Sequence, residues 1–233
     1  MIELREFAVG DAGPYRVSLQ GRSVLGLLGV HGAAATRLLE ALAGARRHKG
    51  RIRIAGRDAK ASDVAYAPEE VEQVLFGRTA AEAVGPGGEA FARRLGAAHL
   101  LDRPPQELSS GERRRLALAA VFGSGRPLLL FDRPTAGLDP DGQAMFWQAA
   151  AAHPGAVVLS LGSPAEARYC TALLAVPGEG RPWPGGTLGA DRQRQVRWPP
   201  DGASDIAWTL GLAAGPGTLA REVAAWRARR RQR

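Results

Sequence analysis

The sequence predicts an α/β fold in which helices pack against a mixed sheet with a parallel core. A short apolar run at Ser23–Leu28 is followed by a glycine-bearing turn and a helical stretch, Ala34–Ala43. Two further runs, Leu128–Phe131 and Val157–Leu161, are short and largely apolar, as buried parallel strands are. The alternation of such strands with helices is what predicts the fold class.

The first part of the chain has the pattern of an antiparallel β subdomain. Met1–Val9 and Tyr15–Leu19 alternate apolar and polar residues, which predicts two paired strands separated by a turn at residues 10–14. Arg51–Ile54 predicts another strand, with Gly50 and Gly56 on either side of it.

The middle of the chain has the pattern of a small helical subdomain. The segment from Thr79 to Pro105 is helical and rich in alanine, with an interruption at Gly85–Gly88. A second helix is predicted at Gly111–Val121. Beyond about residue 176 the sequence becomes rich in proline and glycine, and a last helix is predicted from Thr218.

The composition is that of a globular protein, with 45% hydrophobic and 23% charged residues. Every apolar run is far too short to span a bilayer, and the first residues lack the pattern of a signal peptide, so we expect a cytoplasmic chain. The single cysteine, Cys170, allows no intramolecular disulfide and is expected to be a small buried hydrophobic residue.

The net charge of +8 is partly concentrated in an arginine-rich tail after Trp226. Such a charge invites a nucleic-acid or acidic-lipid interpretation. Basic runs are usually solvated, so a solvated tail or a lipid-headgroup contact is favoured here over nucleic-acid binding.

The most specific part of the sequence is the block from Leu108 to Ala119, which reads LSSGERRRLALA, together with LLLFDRPTAGLDP at Leu128–Pro140. In order and separation this block resembles the signature motif, the Walker B strand and the D-loop of ABC ATPases. Ser109 has the character of a helix cap, and the N-terminus of such a helix attracts a phosphate. The resemblance implies signature residues Leu108, Ser109, Ser110, Gly111 and Glu112, and D-loop residues Gly137, Leu138 and Asp139.

The resemblance also implies an ABC-type P-loop domain that binds ATP and Mg²⁺. A P-loop needs glycines around the phosphates, a lysine for their oxygens and a Ser or Thr for Mg²⁺. Gly29, Gly32 and Thr36 match that pattern, but Ala34 replaces a usual glycine and Ala35 replaces the lysine. The nucleotide-binding positions are then Gly29, Val30, His31, Gly32, Ala33, Ala34, Ala35, Thr36, Arg37, Glu69 and Asp132, with Thr36 and Asp132 as candidate Mg²⁺ ligands.

Three further positions depart from the family pattern. Arg133 stands where the family has the glutamate that polarises water, and a guanidinium cannot accept a proton. Gly162 stands at the switch histidine, and Glu69 at the Q-loop glutamine. Since loss of a general base alone costs about 10²–10⁴ in rate, we expect negligible hydrolysis at this site and no catalytic residue in cis.

Nucleotide binding without hydrolysis stays open at this stage. Arg37 or Arg133 could replace some of the missing positive charge, while Thr36 and Asp132 hold Mg²⁺. Alternatively, Asp132 is a structural remnant with Arg133 paired to it.

The pattern of losses predicts a heterodimer. ABC ATPases resemble one another in working as head-to-tail dimers, in which one subunit's signature motif completes the other's P-loop site. This chain keeps the part that is donated in trans and has lost the part used in cis. Two departures affect the donated part: glutamate replaces a usual glutamine at Glu112, and Ser110 replaces a glycine, which would crowd a phosphate if that position needs a positive φ.

Two other stretches are similar to the ATPases of energy-coupling-factor vitamin and metal importers. One is Glu72–Thr79, and the other comprises Val196–Pro200, Ile206–Leu212 and Leu219–Trp226. That family implies a transmembrane coupling subunit as partner and a peripheral location on the cytoplasmic face of the membrane. Leu75 and Phe76 would then lie near the groove that receives a coupling helix, or alternatively belong to the core.

The predicted domains are a nucleotide-binding domain at residues 1–176, with its helical subdomain at about 79–122, and a C-terminal extension at 177–233. The main alternative function is a pseudo-ATPase regulator or scaffold outside transport, which would lack a hydrophobic docking surface around Leu75 and Phe76. A soluble ABC ATPase of DNA repair or translation is disfavoured because the chain has no room for a coiled-coil insertion or a second domain. The missing lysine and the signature block argue against a P-loop kinase.

Overall fold

The computed structural model describes residues 1–10, 12–29 and 32–176. Its centre is a parallel sheet of five strands in the order β6-β7-β8-β3-β9. The strands are β3 (Ser23–Gly29), β6 (Val64–Ala67), β7 (Leu128–Phe131), β8 (Ala156–Ser160) and β9 (Ala172–Val176). The predicted α/β class with a parallel core is confirmed, although β6 and β9 were not predicted from the sequence.

A second sheet has four antiparallel strands in the order β2-β1-β4-β5. They are β1 (Ile2–Val9), β2 (Ala12–Leu19), β4 (Lys49–Ile54) and β5 (Arg57–Asp58). The predicted pairing of the first two strands is confirmed, but the predicted turn at residues 10–14 is too long. Strand β2 already begins at Ala12, which pairs with Val9, and it includes Gly13 and Pro14.

Within the described part of the chain, four α-helices accompany the sheets: α1 (Gly32–Leu42), α2 (Ala80–Arg94), α3 (Ser110–Gly123) and α4 (Pro140–Ala152). The predicted interruption of the helical subdomain is a kink, since α2 continues past Gly85, whose φ of 70° and ψ of 171° are not helical. Helix α4 was not predicted, although Asp139 caps it and Pro140 opens it in the way helices often begin.

The parallel sheet separates two hydrophobic cores. Along β7, Leu129 and Phe131 face the core that contains α2, α3 and α4. Leu128 and Leu130 face the other core, which α1 and the antiparallel sheet share. Successive side chains of a strand point to opposite faces, so a strand covered on both sides must be apolar throughout.

Among the described residues, no helix has the length and apolar character needed to cross a bilayer. The domain boundaries stay a prediction. The proposed C-terminal extension at 177–233, including the helix predicted from Thr218, lies outside the described residues.

Candidate functional site

The candidate site lies at the carboxyl edge of the parallel sheet. Parallel strands end at one edge, and ligands of α/β proteins commonly bind there. Strand β3 leads into α1 at this edge, and the ends of β6, β7 and β8 are followed by Glu69, Asp132 and Gly162. The fold therefore gathers positions that are far apart in sequence.

A cleft of about 550 Å³ opens beside α1. Thr36 and Arg37 of α1 line it, whereas Ala34 and Ala35 are 4% and 2% exposed and belong to the core behind it. The complete described lining is Ala33, Thr36, Arg37, Glu40, Arg46, Glu69 and Arg133. Val30 and His31, also predicted to bind nucleotide, lie outside the described residues, and Gly29 and Gly32 end β3 and begin α1.

Asp132 does not take part in the lining of this cleft. Asp132 is only 2% exposed, and its Oδ1 accepts a hydrogen bond of 2.5 Å from the Ser160 hydroxyl at the end of β8. The same Ser160 oxygen accepts a bond of 2.8 Å from the Arg133 backbone N–H. Thr36 lines the cleft, and one oxygen of the Asp132 carboxylate is bound by Ser160, so a shared Mg²⁺ site at these two residues stays a prediction.

Arg133 reaches toward the end of β6. Its Nη1 donates a hydrogen bond of 2.8 Å to Glu69 Oε1, forming an ion pair whose side chains are 46% and 47% exposed. The alternative in which Arg133 pairs with Asp132 is therefore wrong for this structure. Strands β6 and β7 are neighbours, so the residues that follow them meet, while Asp132 is occupied by Ser160.

Arg114 is a site residue that sequence reasoning missed. It lies on α3 and is 6% exposed, and its guanidinium bonds to the Glu72 carboxylate at 3.0 Å. It also donates to the backbone carbonyls of Glu69, Arg133 and Pro134 at 2.6, 2.9 and 3.4 Å. A run of three arginines at 113–115 contains no signal that would single out the buried member.

Glu166 is a second residue that the sequence did not indicate. Its carboxylate accepts one hydrogen bond of 2.7 Å from the Gly162 backbone N–H and another of 2.6 Å from the Thr135 hydroxyl. Gly162, which was aligned with the family's switch histidine, therefore has its backbone N–H bound by a carboxylate four residues later in the chain.

The signature segment forms the predicted helix cap. Ser109 Oγ accepts a bond of 3.3 Å from the Glu112 backbone N–H, and the Glu112 carboxylate accepts from the Ser109 N–H at 2.8 Å. The Ser109 hydroxyl also donates to the Glu112 carboxylate at 2.7 Å, and this bond, followed by the one from the Ser109 N–H, lowers the pKa of Glu112. Leu108 is buried. Ser110 begins α3, and its φ is not positive, so the crowding of a phosphate considered above does not arise in this conformation.

The D-loop segment lies next to the signature helix. Gly137 has a φ of 72°, and a Cβ placed on Gly111 would be 3.9 Å from the Gly137 carbonyl oxygen. Asp139 caps α4 through the Gly142 N–H at 2.8 Å and pairs with Arg115 of α3 at 2.6 Å. These contacts lower the pKa of Asp139, the bond from Gly142 most strongly.

Phe76, in the segment after β6, presents a large apolar side chain to solvent. Leu75 is 7% exposed and packs in the core under α2 and α3, whereas Phe76 is 76% exposed. Leu75 therefore belongs to the core, whereas Phe76 lies on the surface, so neither of the two alternatives describes both residues.

Comparison with known proteins identifies the family. Residues 14–136, more than half of the chain, match the sequence pattern described as ABC transporter. The cytochrome c biogenesis ATP-binding export protein CcmA of Ruegeria pomeroyi is 37% identical over 147 residues, which cover 58% of this chain and 67% of that protein. CcmA of Rhodopseudomonas palustris is 45% identical over 65 residues, covering 28% of this chain and 32% of that protein.

The chain thus spans about two thirds of one relative and about one third of the other. The solved structure of cbiO1 from Clostridium perfringens, described as part of an ABC transporter complex, superposes with a TM-score of 0.64. At 18% identity, over 75% of this chain and 84% of that one, this similarity shows the fold. This chain belongs to the ABC transporter family, of which it is an ATP-binding domain.

Proposed function

We propose that this chain is an ABC transporter subunit that does not hydrolyse ATP at its own P-loop. Instead, it completes the ATP site of a second, intact ATPase subunit through Leu108–Glu112 and Gly137–Asp139. The observation that carries the proposal is a contrast between two surfaces of the same domain. The signature side is an ordered, mutually bonded assembly, whereas the P-loop side lacks the side chains that hydrolysis needs.

The signature side supports donation in trans. The Ser109–Glu112 capping box leaves the N-terminus of α3 exposed, beside the turn at Gly137. Because a helix N-terminus attracts anions, this surface is suited to the terminal phosphate of ATP held by another subunit. The Arg115–Asp139 pair joins α3 to the cap of α4 and so fixes the two segments relative to each other.

The P-loop side supports loss of hydrolysis. Ala35 has no charge to place on a phosphate and packs in the core. Arg133 cannot act as a general base, and its guanidinium is paired with Glu69. Gly162 has no side chain to offer, and its N–H is taken by Glu166. ATP and Mg²⁺ in the proposed assembly are therefore used at the partner's P-loop.

The proposal includes a transmembrane coupling subunit and a peripheral position on the cytoplasmic face of the membrane. ABC ATP-binding proteins work with transmembrane subunits, and the exposed Phe76 supports a docking surface near Glu72–Thr79. An energy-coupling-factor type of assembly is part of this proposal, with residues 177–233 as its C-terminal extension. The two CcmA relatives are named for cytochrome c biogenesis and not for vitamin or metal import. Co-purification of this chain with a transmembrane coupling subunit therefore tests the type of assembly.

The test is ATP hydrolysis by the full chain alone and after co-expression with an intact ABC ATPase from the same genome. We expect no turnover by the isolated chain and turnover by the pair. Ser109→Arg in this chain should abolish the activity of the pair, because the long cation fills the space in front of the helix. The matched control is Ser124→Arg at the exposed C-terminal end of the same helix, which should leave activity unchanged.

Turnover by the isolated chain that disappears in Asp132→Ala would contradict the proposed division of labour. Full activity of a Ser109→Arg pair would contradict donation in trans. If the chain formed no pair with any ATPase and did not co-purify with membranes, the regulatory pseudo-ATPase would become the better explanation.

A further inference from the structure

A basic segment at residues 46–53 follows α1 and continues into β4. It reads RRHKGRIR and contains five arginines or lysines, one histidine and no acidic residue. Arg46 pairs with Glu40 at 2.8 Å, and Arg53 donates a hydrogen bond to the Gly56 carbonyl. The exposed side chains of the other three cations form no hydrogen bond or ion pair with the described part of the chain; they are Arg47, Lys49 and Arg51.

Strand β4 presents this segment on the outer face of the antiparallel sheet. Ile52 and Ile54 pack toward the core that this sheet shares with α1. Side chains alternate along a strand, so Arg51 and Arg53 point away from that core. Arg51 lies directly opposite Arg5 of β1. Like charges at opposite positions destabilise a sheet, so the arrangement costs the folded protein stability unless an anion is present.

The acidic residues of the same sheet leave the segment with an excess of positive charge. Glu3 pairs with Arg5 at 2.7 Å, and Glu6 pairs with Arg16, so both carboxylates of β1 already have a cation. Asp58 of β5 lies opposite the last residue of the basic segment. The positive charge is therefore least compensated over residues 47–51.

The backbone fixes these cations at an open edge of the sheet. Strand β5 pairs with β4 only at the last two residues of β4. Gly50 has a φ of 82°, and a Cβ placed on it would collide with the Glu6 carbonyl oxygen, so β4 lies close against β1 at this point. Charged side chains at an edge discourage pairing with another chain. Charge of either sign serves that purpose, whereas every charge of this segment is positive.

The composition of this surface favours a membrane over a nucleic acid as its partner. Single strands of nucleic acid are held by stacking on aromatic rings as well as by charge. His48 supplies the ring of this segment, and it already packs on buried Phe7 with ring centroids 4.6 Å apart. The exposed aromatic side chains Phe76 and Tyr169 belong to other segments. Anionic lipid headgroups need only cations on an open surface.

We propose that Arg47, Lys49 and Arg51 contact the headgroups of anionic phospholipids and so hold the antiparallel sheet against the membrane surface. The contact is electrostatic, and no side chain of the segment enters the hydrocarbon. The inference rests on the proposed peripheral location for the choice of a membrane. It adds to the proposed function a direct contact between this chain and lipid, which needs no transmembrane subunit.

The test is binding of the full chain to vesicles, measured by flotation at a series of lipid concentrations. We expect binding to vesicles of phosphatidylglycerol mixed with phosphatidylcholine and much weaker binding to phosphatidylcholine alone. Raising the salt concentration from about 0.1 M to about 1 M should release the chain, because the screening length falls from about 10 Å to about 3 Å.

A triple variant removes the three cations from the full chain and keeps polar side chains in their place: Arg47→Gln, Lys49→Gln and Arg51→Gln. The affinity for mixed vesicles should fall about fivefold for each cation removed, the factor that one basic residue contributes near an anionic surface. The matched control removes the same charge from exposed arginines in and after α2: Arg93→Gln, Arg94→Gln and Arg103→Gln. The control should retain its affinity, which separates this surface from net charge and from the arginine-rich tail. Thermal unfolding checks that both variants fold.

Equal affinity of the two triple variants for mixed vesicles would overturn the inference, as would the absence of binding or binding that does not depend on the anionic lipid. A DNA duplex is the second probe. Duplex binding that is lost only in the variant at residues 47–51, without vesicle binding, would assign the surface to nucleic acid and also overturn the inference.

A failure here is distinct from a failure of the proposed function. The vesicle assay contains no second ATPase subunit, and the three cations lie outside the signature and D-loop segments. The ATPase pair in detergent should therefore keep its turnover when this chain carries the substitutions at residues 47–51, whereas Ser109→Arg should abolish it.

Discussion

At the scale of single residues, burial shifts the pKa of two titratable groups, His153 and Cys170. His153 follows α4 and is 4% exposed, and its Nε2 has no hydrogen-bond partner within the described structure. Burial lowers its pKa from the ordinary value. Cys170 is 1% exposed, as the sequence predicted, and burial followed by the nearby Glu166 carboxylate raises its pKa to about 12.

His153 makes stability depend on pH. The folded protein keeps this imidazole neutral more strongly than the unfolded chain does, so the unfolded chain binds more protons as the pH falls. The stability that the folded protein has while this imidazole is neutral is fully present above about pH 6.5, the ordinary histidine pKa. It is lost as the pH falls toward the lowered pKa of the folded state. Urea unfolding from pH 5 to 8 should show this loss, and His153→Phe should reduce it. The exposed His99→Gln is the control, and an unchanged slope in His153→Phe would contradict the assignment.

Cys170 should be unreactive in the folded protein. At pH 8 a thiol of pKa about 12 is ionised to only about 10⁻⁴, and only the thiolate attacks a disulfide reagent. Ellman's reagent should therefore label the protein slowly under native conditions and completely in denaturant. The assay is simple to interpret because the sequence has a single cysteine. Rapid stoichiometric labelling of the folded chain would show that this core opens readily.

At the scale of elements, α2 and α3 approach each other through glycine. A Cβ placed on Gly123 would lie 2.3 Å from the Gly87 carbonyl carbon and the Gly88 nitrogen, and one on Gly87 would collide with the Gly123 carbonyl. No side chain fits in this contact. The kink at Gly85 is compatible with the same approach, since it redirects α2 just before the crossing.

Gly123→Ala should separate these two helices. The added methyl meets backbone rather than a mobile side chain, so we expect a loss of about 1–3 kcal/mol in the free energy of unfolding, as for overpacked cores. This loss exceeds the gain of up to about 1 kcal/mol that alanine brings to a helix. Chemical denaturation measures the change, with Ala90→Ser on the exposed side of α2 as a near-neutral control. A stabilised Gly123→Ala variant would mean that the helices can move apart without cost.

At the scale of the whole molecule, Arg114 links parts that the chain connects only distantly. Its guanidinium joins α3 to the segment after β6 and to the residues after β7. The signature end of α3, the exposed Phe76 segment and the Arg133 position thus share one buried cation.

Arg114→Met should destabilise the domain strongly. It keeps much of the length of the side chain but leaves the Glu72 carboxylate and three carbonyls without their donor, and breaking a buried pair costs about 3–5 kcal/mol. Arg113→Met, at the preceding and more exposed position of α3, is the matched control. Adding Glu72→Gln to Arg114→Met should recover part of the loss. Equal stability of the two single variants would show that the links are not maintained in solution.

Local patterns account for the part of the fold and site that was predicted. The apolar runs of β3, β7 and β8 have the length and composition of buried strands, and Ser109 followed three residues later by Glu112 matches the capping-box pattern. Helix α4 was missed because Asp139 and Pro140 were interpreted as part of a loop motif, although the same residues mark a helix start. Strand β6 was missed because its residues, Val64–Ala67, are not a run of large apolar side chains like that of β7.

The sequence by itself determined the fold class and the helix cap at Ser109, because the apolar runs of strands and the residues of a helix cap are patterns of near neighbours in the chain. Only the tertiary structure decided that Arg133 pairs with Glu69, that Asp132 is bound by Ser160 and that Arg114 is the buried arginine of its run. The physical reason is that parallel strands adjacent in the sheet are far apart in the chain. The partners of a charged side chain at their ends are therefore set by strand order, which no local pattern specifies.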